Sequence, residues 1–127
     1  MKNVAMAIVF KNDEVLLVLR RFPPSLWGPP AGYPDKGESY EHAAIRETLE
    51  ETGIHCSPLG YLGTVPYKKH RSMLHIYACE YLEGSCRCSI ESRDVGWFPL
   101  DCLPNPCSPA MEIFMQAKDM IQRANEK

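Results

Sequence analysis

Apolar residues in this chain come in short runs separated by polar turns. The run Val4–Phe10 (VAMAIVF), the charged turn KNDE and a second run VLLVLRR open the sequence. Runs of this length, rich in aliphatic and β-branched residues and bounded by turn formers, predict strands over residues 3–10 and 14–20. The same reasoning places strands over 58–66, 73–82 and 94–98, with Glu83-Gly84 as a further turn signal. Between the second and third strands, Pro23, Pro24, Pro29, Pro30 and Pro34 remove amide donors, so the stretch 23–34 is predicted to be loop.

Two segments change to helical spacing. In the first, Ser39 is a suitable N-cap, AAIRETLEE is made of good helix formers, and Gly53 supplies a left-handed terminator. Ile45 and Leu49, with Thr48 and Thr52, fall on the side expected to pack. In the second, Ser108-Pro109 is expected to start a helix running towards Asn125, with Ile113, Phe114, Ala117 and Ile121 facing the sheet.

The length of 127 residues suits one domain over 1–127, with no internal repeat or linker. A net charge of −2 argues against a duplex nucleic-acid platform, which needs a basic excess. Val4–Phe10 is far shorter than the roughly 20 residues of a membrane span, and no cleavage site follows it. A soluble, cytoplasmic protein is expected. That setting favours reduced thiols for Cys56, Cys79, Cys86, Cys88, Cys102 and Cys107. A zinc site from Cys86, Cys88, Cys102 and Cys107 would lack the usual two-residue gaps.

Glu47, Glu50 and Glu51 change the picture most. They fall within about 100° of helical arc, so their carboxylates are expected to project together. Like charges at this spacing repel by roughly 0.2–0.5 kcal/mol per pair. Either they form an ordinary solvated acidic face, or a cation neutralises them. Hard oxygen ligands suit Mg2+, with Mn2+ as an alternative.

The order of the surrounding segment decides between these readings. Gly32, Glu38, Arg46, Glu47, Glu50, Glu51, Gly53 and Ile54 stand at the spacings of the Nudix hydrolase signature, and the stretch 32–54 resembles it closely. Thr48 departs from it, standing where an aliphatic residue is usual, and Ala31 replaces a glycine often found at the turn. The opening strands, LWGPPAG and DVGWFPLDCLP extend the resemblance over nearly the full length. It implies an α/β fold, an alpha/beta/alpha sandwich with a mixed sheet between helices. It also implies metal-dependent hydrolysis of a nucleoside diphosphate linked to another moiety.

By the same resemblance, Glu50 and Glu51 are expected metal ligands, Glu47 a ligand or the base, and the main-chain carbonyl near Ala31 or Gly32 a further ligand. Arg46 is expected to orient the carboxylates. Glu38 divides between stabilising the helix start and holding metal. A late-loop acid, Glu91 or Asp94, is the candidate for a further metal ligand or the general base, with Glu91 preferred for its reach and a solvated loop carboxylate as the alternative. Arg20 and Arg21 are candidate phosphate contacts, and Trp27, Tyr33, Tyr67 and Tyr77 candidate stacking surfaces, each with core or rim packing as the alternative. His70 and His75 are weaker candidates for moving protons.

The compact chain is similar to nucleoside triphosphate pyrophosphatases, including those acting on oxidised nucleotides, which release monophosphate and pyrophosphate. ADP-ribose, nucleotide sugars and dinucleoside polyphosphates remain alternative substrates, and a non-catalytic nucleotide sensor a further one. Sensors commonly lose signature glutamates, whereas Glu38, Glu47, Glu50 and Glu51 are all present. Assembly as a homodimer stays open.

Overall fold

The computed structural model describes residues 2–21, 25–67 and 71–126. Its strands are β1 (Lys2–Lys11), β2 (Glu14–Arg20), β3 (Trp27–Gly28), β4 (Ala31–Gly32), β5 (His55–Tyr67), β6 (Ser72–Glu83) and β7 (Ser92–Pro99). The helices are α1 (Tyr40–Thr52) and α2 (Met111–Asn125), the latter preceded by a 3-10 turn at Leu100–Cys102. The main path of the sheet runs β3-β2-β1-β6-β5, with β4 added on β1 and β7 on β2. β1 and β6 are parallel and the other pairs antiparallel, so the sheet is mixed.

Strand alternation in β1 divides the interior. Ala5, Ala7 and Val9 face α1, where they meet Ala43, Ala44, Ile54, Cys56 and Cys79. Met6, Ile8 and Phe10 face α2 and pack with Phe114, Ala117 and Ile121. One helix covers each face, which is the expected sandwich.

β1 and β2 pair only at Phe10↔Val15 and Lys11↔Glu14. Beyond that point β2 runs with β7 and β3, while β4 takes the edge of β1 at Ala5↔Gly32 and Met6↔Ala31. Part of the stretch expected to be loop is therefore sheet. The prolines leave the dipeptides Trp27–Gly28 and Ala31–Gly32 free to pair, on either side of Pro29-Pro30. The Pro30 carbonyl accepts from the Ala7 amide at 3.2 Å. Pro23 and Pro24 lie outside the described residues.

α1 begins and ends as its sequence requires. Ser39 accepts from the His42 amide at 3.1 Å, and Gly53 at φ 79° turns the chain out while its amide reaches the Leu49 carbonyl. Its packing face agrees with expectation at Thr48 and Thr52, with Ile45 packed at the core margin, and extends to Ala43, Ala44 and Glu51. Ala43, Ala44, Thr48, Glu51 and Thr52 are buried, whereas Ile45 and Leu49 are only half-buried. Small residues at the centre allow α1 to lie close to the sheet. Thr48 fits there because its hydroxyl donates to the Ala44 carbonyl at 2.7 Å.

α2 starts three residues after Ser108. Ser108 is held instead by β3, its amide donating to the Trp27 carbonyl at 3.0 Å, and Ala110 takes the cap position without a side-chain bond. No helix among the described residues is long and apolar enough to cross a membrane.

Candidate active site

The three glutamates do not share one environment. An arc of about 100° is wide enough to cross from the packed side of α1 to the open side. Glu51 is buried, Glu47 half-buried and Glu50 exposed. Glu51 Oε2 accepts from the Ala31 amide at 3.1 Å, fastening the last turn of α1 to β4. Its Oε1 lies 3.9 Å from Arg20 Nη1 at the end of β2. One turn earlier, Glu47 lies against Gly32, and a Cβ placed on Gly32 would collide with the Glu47 carboxylate. β4 thus receives two acidic side chains from consecutive turns of α1.

Arg46 ties the open side together. Its Nε and Nη2 each donate to Glu38 at 2.8 Å, and Nη1 donates to Glu47 at 3.0 Å and to Glu50 at 3.1 Å. Nη2 also reaches the Tyr33 carbonyl at 3.1 Å. A planar guanidinium suits such a fork, which an ammonium could not fill. Glu38 accepts further from the Asp35 amide and from His42 Nδ1. Hydrogen bonds from Arg46 above all hold Glu38 down at about 2. This network makes Glu38 an organiser of the turn before α1.

Proton affinity separates the remaining carboxylates. Burial pushes Glu51 up to about 8; Arg20 and the Ala31 amide oppose this, while the charges of Glu47 and Glu91 add to it. Burial also raises Glu47, against the pull of Arg46 and with repulsion from Glu50 and Glu91. Four acidic groups, Glu47, Glu50, Glu51 and Glu91, therefore influence one another around a partly desolvated space. Glu91 is close enough to influence both glutamates. Asp94, the other candidate from that loop, has its Oδ1 turned to the Val95 amide at 2.9 Å.

Among the described residues, no three His, Cys, Asp or Glu side chains are gathered tightly enough to hold a metal by themselves. The donor chemistry nevertheless fits a hard divalent cation. It is all oxygen, partly desolvated and mutually repulsive, and Mg2+ ordinarily keeps waters and phosphate oxygens in its shell beside one or two carboxylates. Cys86, Cys88, Cys102 and Cys107, whose spacing already argued against zinc, form no metal-holding group among the described residues: Cys88 Sγ turns to the Arg93 carbonyl and Cys107 Sγ to that of Ser108. All six cysteines are free.

A cavity of about 410 Å3 opens where β1 and β2 diverge. Val4, Met6 and Leu74 provide apolar lining, and Arg20, Ala31 and Gly32 connect it to the carboxylates. Tyr33 and Tyr67 also border it. Trp27 is placed otherwise, its indole edge-on to Phe98 with centroids 5.0 Å apart and packed on the α2-side core. Tyr77 is tilted against Tyr61, and His75 stacks on Tyr40, both away from the cavity. Arg21 is exposed, its amide donating to the Glu91 carbonyl at 3.0 Å, which ties the end of β2 to the candidate base. His70 lies outside the described residues. Lys2 borders the cavity too, and sequence reasoning passed over it; the β1 alternation that puts Val4 and Met6 on the cavity face carries Lys2 with them.

A family model of the NUDIX domain matches residues 1–118, and the chain belongs to that family. The NAD-capped RNA hydrolase NudC of Pseudomonas aeruginosa (strain LESB58) is 35% identical over 99 residues, which are 76% of this chain and 36% of that protein. A Bacillus subtilis (strain 168) protein with the provisional name 8-oxo-dGTP diphosphatase is 31% identical, covering 80% of this chain and 72% of its own. Among solved structures, an ADP-ribose pyrophosphatase from Streptococcus suis superposes with a TM-score of 0.82 at 25% identity, covering 95% of this chain and 92% of that one. The chain spans only about a third to a half of the NudC relatives it matches, 36% and 47% in two cases.

Proposed function

We propose that the protein is a metal-dependent hydrolase of nucleoside diphosphate derivatives, acting on a nucleoside triphosphate or oxidised nucleotide to give monophosphate and pyrophosphate. The observation that carries this reading is the sharing of Ala31 and Gly32 between the cavity and the carboxylates. A base in the cavity would leave its phosphates beside Glu47 and Glu51. The relatives' names, spanning NAD-capped RNA, an oxidised nucleotide and ADP-ribose, agree on a phosphoanhydride next to a nucleoside.

A phosphoanhydride resists hydrolysis because its own charge repels a nucleophile. Mg2+, when bound, supplies neutralisation of the phosphate oxygens. Glu51, Glu47 and Glu50 would hold it, with the Ala31 carbonyl as a main-chain donor. Glu51 must lose its proton to do so, and Glu50 must leave Arg46. Arg20, beside Glu51 and on the cavity wall, would donate to a phosphate. Glu91 is assigned as the base that takes the proton of the attacking water. Arg46 positions Glu47 and Glu50 while Glu38 anchors Arg46.

The test is incubation with Mg2+ and nucleoside triphosphates, oxidised nucleotides, nucleotide sugars, ADP-ribose, diadenosine polyphosphates and capped RNA, followed by product identification. Monophosphate plus pyrophosphate from a triphosphate is the expected result. Preference for a sugar, dinucleotide or cap would reassign the substrate, and ligand binding without turnover of any compound would make the protein a sensor.

A further inference from the structure

The cavity is one-sided in the charge of its walls. Its described lining contains Lys2, Arg20, two serines and two tyrosines, but no Asp, Glu, Asn, Gln or His. Arg20 is drawn towards Glu51 at the phosphate end. Lys2 stands four positions before Met6, the partner of Ala31, and is paired in register with Ser72, its amide donating to the Arg71 carbonyl at 3.0 Å. Its Nζ stands 5.5 Å from the centroid of the Tyr33 ring. The ammonium takes part in no ion pair among the described residues.

A nucleotide seated with its phosphates at Ala31 and its base over Val4, Met6 and Leu74 would turn the edge opposite the glycosidic bond towards Lys2. That edge carries substituent 6 of a purine or 4 of a pyrimidine. An ammonium has three donors and no acceptor. A carbonyl there, as in hypoxanthine, guanine, uracil or thymine, receives a charge-assisted hydrogen bond. The amino group of adenine or cytosine instead meets a second donor. We propose that Lys2 selects oxo-bases: the site takes nucleotides with a carbonyl at purine position 6 or pyrimidine position 4 in preference to their amino counterparts. This rests on the nucleotide-hydrolase reading above and names the substrate class for that same site.

The test compares pairs that differ at this one substituent. Calorimetric binding of IMP, AMP, UMP and CMP is measured without divalent metal, and kcat/KM for ITP, ATP, UTP and CTP with Mg2+, in wild type, Lys2→Met and Lys2→Arg. Wild type is expected to favour IMP over AMP and UMP over CMP by at least about tenfold, and the triphosphates in the same order. Lys2→Met should bring both ratios close to one at unchanged melting temperature, and Lys2→Arg should keep them. Equal use of oxo and amino bases by wild type, or a preference surviving in Lys2→Met, overturns the role of Lys2 while leaving the hydrolase intact. Neither binding nor turnover of any of these nucleotides overturns the nucleotide reading and this inference together.

Discussion

Glu51 and Ala31 are twenty positions apart in sequence and joined by a 3.1 Å hydrogen bond from the Ala31 amide to the buried carboxylate. This bond fixes the distance between the acidic helix and the floor of the cavity. Replacing Glu51 with Gln keeps the shape and removes the charge. Turnover with Mg2+ should fall by about a thousandfold or more, while the metal-free protein gains stability at alkaline pH, by about 2–4 kcal/mol at pH 9. Chemical denaturation in EDTA at pH 6 and 9 checks the second effect; equal stability of the two proteins at pH 9 would contradict it.

The same shift gives the wild-type protein a definite pH profile. Burial raises Glu51 to about 8, so the folded state keeps a proton that the unfolded chain has already released above the ordinary carboxylate range. Stability of the metal-free protein should therefore be greatest at mildly acid pH, decline as pH rises to about 8 and level off above it. Glu47 is raised as well and acts in the same direction. Mg2+ binding at pH 7 should accordingly release about one proton, and almost none at pH 9.5. Calorimetry in buffers of different ionisation enthalpy measures this directly.

Arg46 answers to Glu38, Glu47 and Glu50 at once. Arg46→Ala leaves three carboxylates without their shared partner and should cost about 1–3 kcal/mol of stability. Arg46→Lys keeps the charge but not the fork and should recover only part of it. Glu38, held at about 2, contributes stability that is complete above the ordinary carboxylate range and lost as pH falls towards 2. In Arg46→Ala the acid unfolding transition should move to higher pH, which circular dichroism during acid titration detects.

Gly32→Ala places a methyl group where the Glu47 carboxylate now lies. The carboxylate is the end of a flexible side chain and can move aside, so activity should suffer more than stability. A fall in kcat of about a hundredfold is expected from the misplaced group, with a melting temperature within a few degrees of wild type. Steady-state kinetics beside thermal melts separate the two effects.

Glu91→Gln removes the assigned base and relieves Glu47 and Glu51 of a repelling charge. A loss in kcat of about a hundredfold to ten thousandfold should follow, with the change concentrated on the acid limb of the pH–rate profile. Wild-type turnover across the whole pH range would remove Glu91 from the mechanism.

The amino-acid pattern by itself determined the order of the five longer strands and the two helices, because apolar runs, the Ser39 cap and the Gly53 terminator are local signals. Spacing alone also marked the acidic cluster and the turn before it. What it could not determine was burial. Glu47, Glu50 and Glu51 look alike in sequence, and only packing of α1 through Ala44 and Thr48 turns Glu51 inward, Glu50 outward and leaves Glu47 between. The small strands around Pro29-Pro30 were equally hidden, since pairing of two residues depends on the gap left where β1 and β2 part. The same gap decides which of the candidate side chains reach the cavity: Arg20 and Tyr33 do, Trp27 is claimed by Phe98, and Lys2 is included by strand alternation. Local preference sets the elements, whereas desolvation and proximity exist only once distant segments have met.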